Sequence, residues 1–156
     1  MQGATNGSPW WAALTVWGVV NAVNLLQAAG FLSRIVTGSS SMNHALGRLI
    51  GALAIPALVA MIAFVRSQAG WLYWTGPAVF AVFVVFMLFV DYIRPVAFRS
   101  PVRHGILVPY LVLFFGAILL MGLPMFRLNR TLWLVTAVTT AFLLVSMGIA
   151  VRHGVA

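Results

Sequence analysis

The sequence contains no cysteine, no lysine and no glutamate, and its only acidic residue is Asp91. Without cysteine the chain can form neither a disulfide nor a thiolate metal site, and it has no cysteine nucleophile. Charged residues make up 6% of the 156 residues, whereas a typical soluble domain has about 25%. So few charges cannot cover a surface that faces water, but a surface that faces lipid does not need them. The composition therefore predicts an integral membrane protein.

The motifs of common enzyme classes are also absent. The sequence has no paired carboxylates, no Gly-x-Ser-x-Gly elbow, no Gly-rich phosphate loop and no His-Glu-x-x-His. An enzyme that uses magnesium to act on phosphate substrates needs several acids, and this chain has one. The sequence therefore does not predict an enzyme, and it identifies no cofactor.

Long apolar stretches dominate what is present. Hydrophobic residues account for 63% of the chain, and its mean hydropathy is +1.07. A bilayer core of about 30 Å takes roughly 20 apolar residues of helix to cross. Five stretches qualify, and they predict spans over residues 10–32, 44–65, 71–93, 105–126 and 132–151. The predicted fold is all-α: a single transmembrane domain over residues 1–156, built as a bundle of five helices.

Individual residues predict local features of these spans. Pro56 should kink the second span, and Pro124 should help to end the fourth. Gly47 and Gly51 have the spacing that permits close helix contact. Thr131 is expected to cap the fifth span, because a threonine side chain can accept from free N–H groups at a helix start.

Two further expectations concern the second and third spans. Ser41 or Asn43 is predicted to cap the second span. The phenylalanines of the third span step by three residues and are predicted to face lipid: Phe80, Phe83, Phe86 and Phe89.

Arginines are distributed unevenly between the two ends of the predicted bundle. One end has the N-terminus with Arg66, Arg127 and Arg130, and the other has Arg34, Arg48, Arg94, Arg99, Arg103 and Arg152. Short arginine-rich loops stay in the cytoplasm. We therefore expect a plasma-membrane protein with its N-terminus outside and its C-terminus cytoplasmic. The formal charge of +8 does not indicate nucleic-acid binding, because the arginines lie between apolar runs and form no continuous basic face.

Tryptophan is concentrated at the end that has fewer arginines. Five of the six tryptophans fall at this predicted outer boundary: Trp10, Trp11, Trp71, Trp74 and Trp133. Amphipathic rings prefer the membrane interface, so the distribution supports a protein with two distinct ends.

Polar residues within the predicted spans are the candidates for a site. Asn21, Asn24 and Gln27 recur every three residues on the first span and form one stripe with Trp17. This stripe has two interpretations: hydrogen bonds between helices, or the lining of a polar cavity.

Charged groups at membrane depth are costly and often functional, so Asp91 also has two interpretations. In the first, Asp91 forms a structural ion pair with Arg48 or Arg94; in the second, it handles a substrate or a proton. The ligand-binding hypothesis comprises Asn21, Asn24, Gln27, Arg48, Asp91 and Tyr110.

Three histidines fall at the predicted cytoplasmic boundary: His44, His104 and His153. No two of them have the i, i+4 spacing that places two ligands on one helix face, and two of them directly follow an arginine. We predict no metal site, and the alternative is a zinc or iron site formed by these histidines and Asp91.

Three functions remain open on the sequence. The first is an accessory or scaffolding subunit of a membrane complex. The second is a small transporter or a bundle that binds a ligand or lipid in a polar cavity in its cytoplasmic half. The third is an enzyme of an unfamiliar type that uses a histidine and Asp91. The expected partners are the lipid bilayer, other membrane proteins or further copies of the chain, and no nucleic acid.

Overall fold

The computed structural model describes residues 9–38, 41–96 and 103–154 of the chain. These residues form six α-helices and one π-helix, with no strand among them. The elements are α1 Trp10–Thr37, α2 Ser41–Ala52, α3 Ala54–Arg66, α4 Trp71–Leu88 with the π-helix Phe89–Ile93, α5 His104–Leu128 and α6 Arg130–Arg152. Because α2 continues into α3 and α4 into the π-helix, they make five segments long and apolar enough to cross a membrane. The predicted all-α bundle is confirmed.

The largest difference in helix bounds is at the end of α1, which continues five residues beyond the prediction, to Thr37. Two hydroxyl groups in or beside this extension bond to carbonyls of the same helix. Ser33 donates to Gly30 O at 2.9 Å, and Thr37 donates to Ser33 O at 2.8 Å. Gly38 then ends the helix in the left-handed region at φ 64°, with its N–H on Arg34 O at 2.9 Å.

Proline has different effects on two of the spans. The second span is interrupted at Leu53, between α2 and α3, one turn before Pro56. Pro56 has no N–H to donate to the Ala52 carbonyl, so the predicted distortion is confirmed. The prediction for Pro124 was wrong, because α5 continues past it to Leu128.

The predicted cap of the last helix was also wrong by two residues. Asn129 caps α6, and its side chain accepts from the backbone N–H groups of Thr131 and Leu132 at 3.0 and 3.1 Å. The side-chain amide of Asn129 therefore satisfies two of the free donors at this helix start. The side chains of Ser41 and Asn43, the predicted caps of the second span, lie outside the described part of the structure.

The helices close into a ring. α4 packs along α5, α5 along α6, α6 along α1, α1 against α2 and α3, and α3 against α4. Helix α1 also touches α5 and is the most deeply buried span. The core between the helices is apolar and includes Val20, Val23, Phe64, Phe80, Phe83, Met87, Met121 and Leu143, each less than 2% exposed.

Two helix backbones approach each other closely where α4 crosses α5. A Cβ added at Gly76 would lie 2.6 Å from Met121 N and 2.7 Å from the Leu120 carbonyl carbon. Only glycine fits at this crossing. Aromatic rings extend the contact, since the Phe83 ring lies 5.2 Å from that of Tyr110 and 5.3 Å from that of Phe114.

The prediction that the α4 phenylalanines face lipid was wrong for half of them. Phe80 and Phe83 are buried, Phe86 is half-buried, and Phe89 is 49% exposed. A three-residue step on a helix of 3.6 residues per turn moves each ring about 60° around the axis. The four rings therefore turn from the core, against α5, to the outer surface.

Gly47 and Gly51 face the end of the third span, and the atoms that meet them belong to side chains. A Cβ at Gly47 would overlap the hydroxyl of Tyr92, and one at Gly51 would touch Met87 at 3.8 Å and Leu88 at 3.9 Å. This face of α2 therefore leaves room for large side chains of its neighbour, and it does not form the close backbone contact that the spacing permits.

Candidate functional site

A ladder of hydrogen bonds joins α1 to α6. Trp17 Nε1 donates to Leu132 O at 2.9 Å, and Asn21 Nδ2 donates to Thr136 Oγ1 at 3.1 Å. The sequence separation between partners is 115 residues in both pairs, so the first and last helices run in the same direction. We call this contact the polar seam; it comprises Trp17, Asn21 and Asn24 of α1, and Leu132, Thr136, Thr139 and Thr140 of α6.

Asn24 is the most deeply buried member of the polar seam, with no exposed surface. Its Nδ2 donates to Thr139 Oγ1 at 3.1 Å and to Thr140 Oγ1 at 2.9 Å. Both hydroxyls can accept because their own protons are used elsewhere. Thr140 donates to Thr136 O at 2.8 Å, and Thr139 donates to Asn21 Oδ1 at 2.7 Å. Each hydroxyl group supplies one proton, and that of Thr139 has a second acceptor within reach, Thr136 O at 3.0 Å.

One atom of the polar seam remains unsatisfied. Asn24 Oδ1 is buried and accepts no hydrogen bond from the described residues. A buried acceptor without a donor costs about 1–3 kcal/mol. The seam therefore contains one unfavourable atom among many satisfied ones.

Asn21 and Asn24 form hydrogen bonds between helices, which is the first of the two interpretations of the stripe. The stripe does not extend to Gln27, which is half-buried and whose side chain makes no hydrogen bond within the described ranges. Helix α6 contributes the partners as three threonines within five residues. None of these threonines was among the predicted site residues, although the spacing of Thr136, Thr139 and Thr140 places all three on one helix face.

Asp91 lies half-buried in the π-helix that follows α4. The hydroxyl of Tyr110 on α5 donates to Asp91 Oδ2 at 3.5 Å, the outer limit of a hydrogen bond. Tyr110 itself is 8% exposed. Two of the six predicted site residues therefore meet here, and this meeting is separate from the polar seam.

The two arginines predicted to pair with Asp91 do not meet it in the described part of the chain. Arg48 and Arg94 are both exposed, and neither forms an ion pair with Asp91 in the part of the chain that is described. The structure thus divides the six predicted residues into the asparagine pair on α1, the Asp91–Tyr110 contact, and the separate side chains of Gln27 and Arg48.

Tyr92, which sequence reasoning missed, connects the π-helix to α2. Its hydroxyl donates to His44 O at 2.7 Å, and its ring meets the His44 ring edge-on at 5.8 Å. The same hydroxyl occupies the space that Gly47 leaves open. The sequence signal was the Gly47–Gly51 spacing, which indicated a close neighbour without identifying it.

The three histidines are all exposed: His44, His104 and His153. Among residues 9–38, 41–96 and 103–154, no three His, Asp or Glu side chains come close enough together to hold a metal ion. The histidines therefore give no geometric support to the alternative of a metal site.

Neither of two clefts seen in the described bundle is lined by the six predicted site residues. The first is an apolar void of about 10 Å³, room for about one water molecule, lined by Ala13, Val16, Phe64, Tyr73, Met121, Pro124 and Met125. The second, of about 200 Å³, is an open cleft between the end of α5 and the start of α6, lined by Phe126, Arg130, Trp133 and Leu134.

Comparisons of the chain with protein-family models, with curated proteins and with solved structures found no match. Functional inference for this chain therefore depends on its own residues.

Proposed function

We propose that this chain is an accessory or scaffolding subunit of a membrane complex, and that it acts through its outer surface. The use of its interior polar groups supports this proposal. Asn21 and Asn24 donate to threonines of α6 rather than into a cavity. In a transporter, the corresponding polar groups line a path for the substrate.

The observation that carries the proposal is the presence of exposed glycines within helices. Gly18 on α1 and Gly148 on α6 are both exposed, and a Cβ at either would meet no atom within 4 Å. A glycine inside a helix is less favourable than alanine by about 1 kcal/mol. The packing of this chain does not require either residue. In membranes, small residues of this kind are enriched where helices meet, so Gly18 and Gly148 are suited to contact helices of another protein.

The proposed location is the plasma membrane, with the N-terminus outside and the C-terminus in the cytoplasm. Its support is the excess of arginine at the end that contains Arg34, Arg94 and Arg152. A tag placed after Arg152 should be inaccessible to reagents added outside intact cells. Labelling of that tag from outside would contradict this orientation.

The experiment that tests the subunit proposal compares two leucine substitutions in native membranes. Gly18→Leu places a bulky group on the surface proposed to meet a partner. Val85→Leu is the matched control on α4, at a position that is 68% exposed and has no exposed glycine beside it. Membranes are solubilised in mild detergent, and the complexes are separated by native electrophoresis and identified by mass spectrometry.

We expect the wild type and Val85→Leu to migrate in one complex of fixed stoichiometry, and Gly18→Leu to be lost from it while remaining folded. Migration of all three forms as the isolated 16.9 kDa chain would contradict the proposal. A complex that contains only copies of this chain, detected with two different tags, would replace the accessory subunit with a homo-oligomer.

A second candidate function, a small transporter, is favoured by one specific observation. The only acid of the chain, Asp91, lies in a π-helix, and π-helical turns are frequent at functional sites. If Asp91 and Tyr110 handle a solute or a proton, Asp91→Asn should abolish transport in reconstituted vesicles while the thermal unfolding temperature stays unchanged. Loss of folded protein in Asp91→Asn would instead assign this residue to structure.

A further inference from the structure

The cleft between α5 and α6, lined by Phe126, Arg130, Trp133 and Leu134, combines a cation with aromatic walls. The Phe126 and Trp133 rings meet edge-on, with centroids 5.2 Å apart. The Arg130 guanidinium lies over the Phe126 ring at 5.6 Å. This stacking holds the planar group at one edge of a cleft of about 200 Å³. We call it the Arg130 cleft.

The donors of Arg130 are available to a ligand. Arg130 is exposed and makes no hydrogen bond or ion pair with any residue in the described ranges. A guanidinium has five N–H donors in a planar fork that matches two oxygens of a phosphate. Arg127 is also exposed and lies in the last turn of α5, three residues earlier in the chain. The single acid of the sequence, Asp91, belongs to the opposite end of the bundle. The charge of the cleft is therefore complementary to an anion.

The position of Arg130 along α6 also favours an anion beside it. Arg130 is the first residue of the helix, where the helix dipole disfavours a positive charge. The side chain of Asn129 already accepts from the N–H groups of Thr131 and Leu132, so the backbone of this helix start does not form the site. A phosphate on the guanidinium would offset the unfavourable placement of the charge.

Apolar side chains continue from the cleft along α6, and they favour a lipid over a free phosphate as the ligand. Leu134 belongs to the cleft, and Val138 and Val145 continue the same face of α6 at spacings of four and seven residues. These three side chains are 56%, 68% and 59% exposed. These side chains extend from the end of the bundle that contains Trp133 toward its middle, where an acyl chain would lie.

We propose that the Arg130 cleft binds one phospholipid, with its phosphate on the guanidinium of Arg130 and an acyl chain along Leu134, Val138 and Val145. Trp133 and Phe126 would contact the glycerol region, at the depth where aromatic rings prefer to lie. Gly148 lies on the same face of α6 as Val138 and Val145, so the acyl chain would lie beside the surface proposed for a partner. The lipid proposal does not depend on the subunit function, because its test uses the isolated chain and leaves Gly18 and Gly148 unchanged.

The test is titration of the full chain in detergent, followed by native mass spectrometry. The probes are dioleoyl-phosphatidylglycerol, dioleoylglycerol without phosphate, and glycerol phosphate without acyl chains. We expect one tightly retained copy of the phosphatidylglycerol and weak retention of the other two. Arg130→Gln should weaken this retention about tenfold, which corresponds to about 1.4 kcal/mol. Arg66→Gln, which removes an exposed arginine from the same end of the bundle, should leave it unchanged.

Two further variants keep the test decisive if Arg130→Gln is poorly folded. Arg130→Lys retains the charge but lacks the planar fork, so its affinity should fall between those of the wild type and Arg130→Gln. Phe126→Ala removes the ring beneath the guanidinium and should also weaken retention.

Equal weakening by Arg66→Gln and Arg130→Gln would overturn the proposal in favour of a general charge effect. Binding of glycerol phosphate as tightly as the lipid would overturn it in favour of a phosphate site, and full retention by Arg130→Gln would overturn it outright.

Discussion

The polar seam between α1 and α6 and the contact between α4 and α5 hold the same bundle together by different means. The seam uses directed hydrogen bonds between asparagine and threonine side chains, with Asn24 at its most buried point. The α4–α5 contact uses shape, because Gly76 lets two backbones touch and Phe83 packs between two aromatic rings. Lipid is as apolar as these side chains, so neither contact gains much from the hydrophobic effect.

The difference between the two contacts is their tolerance of change. A hydrogen bond between membrane helices contributes about 0.6 kcal/mol on average, because the separated helices also find partners for their polar groups. Overpacking a close backbone crossing has no such compensation, since the neighbouring atoms belong to main chain that cannot rotate away. We therefore expect the apolar contact to be the more sensitive of the two, and the following four changes test this expectation in order of decreasing effect.

Gly76→Leu should have the largest effect. Its Cβ alone would lie 2.6 Å from Met121 N, so the α4–α5 crossing must open, at a cost of more than about 3 kcal/mol. We expect loss of the monodisperse peak in size-exclusion chromatography in detergent. The matched control is Gly116→Leu on α5, where a Cβ meets no atom within 4 Å. Normal folding of Gly76→Leu would show that the crossing is not tightly packed.

Thr139→Val should have the second largest effect. The hydroxyl of Thr139 accepts from Asn24 and donates to Asn21 Oδ1, so its loss leaves a buried acceptor on Asn21 without a donor. We expect destabilisation of about 1–2 kcal/mol, measured by unfolding in increasing SDS. Thr75→Val serves as the control because Thr75 donates only within α4, to Trp71 O. An equal effect of the two variants would mean that the seam adds nothing beyond bonding within one helix.

Asn24→Leu should have a smaller effect than Thr139→Val, although Asn24 is more deeply buried. The substitution removes two donated hydrogen bonds but also removes the unsatisfied Oδ1. We expect a loss of no more than about 0.6 kcal/mol in the same SDS assay. Combination with Thr140→Val measures their coupling in a double-mutant cycle. A loss of several kcal/mol would indicate that Asn24 Oδ1 has a partner, such as a buried water molecule.

Gly18→Ala should have the smallest effect, and in the opposite direction. The new methyl group meets no atom of this chain, and alanine favours the helix over glycine by about 1 kcal/mol. We expect the purified protein to be stabilised by up to that amount in thermal unfolding. Destabilisation would contradict the finding that Gly18 is not needed within the bundle.

The three-residue periodicities show where sequence reasoning reaches its limit. Asn21 and Asn24 were correctly placed on one stripe of α1, yet the same spacing misplaced Phe80 and Phe83, which are buried. A spacing defines which residues share a helix face, and hydrophobicity cannot decide whether that face meets lipid or another helix. In soluble proteins polarity makes this distinction, but in a membrane bundle both surroundings are apolar.

The sequence by itself determined the five long apolar helical segments, their approximate bounds and the exclusion of cysteine chemistry. It could do so because crossing a bilayer requires a fixed length of apolar helix with its backbone bonded internally. The tertiary structure alone decided that Asn21 and Asn24 bond to threonines of α6, that Tyr110 meets Asp91, and that Phe126, Arg130 and Trp133 form a cleft. Each of these contacts joins residues from different helices or across a turn. Such contacts depend on which helices are neighbours and how each is rotated, and the period of a single helix contains neither.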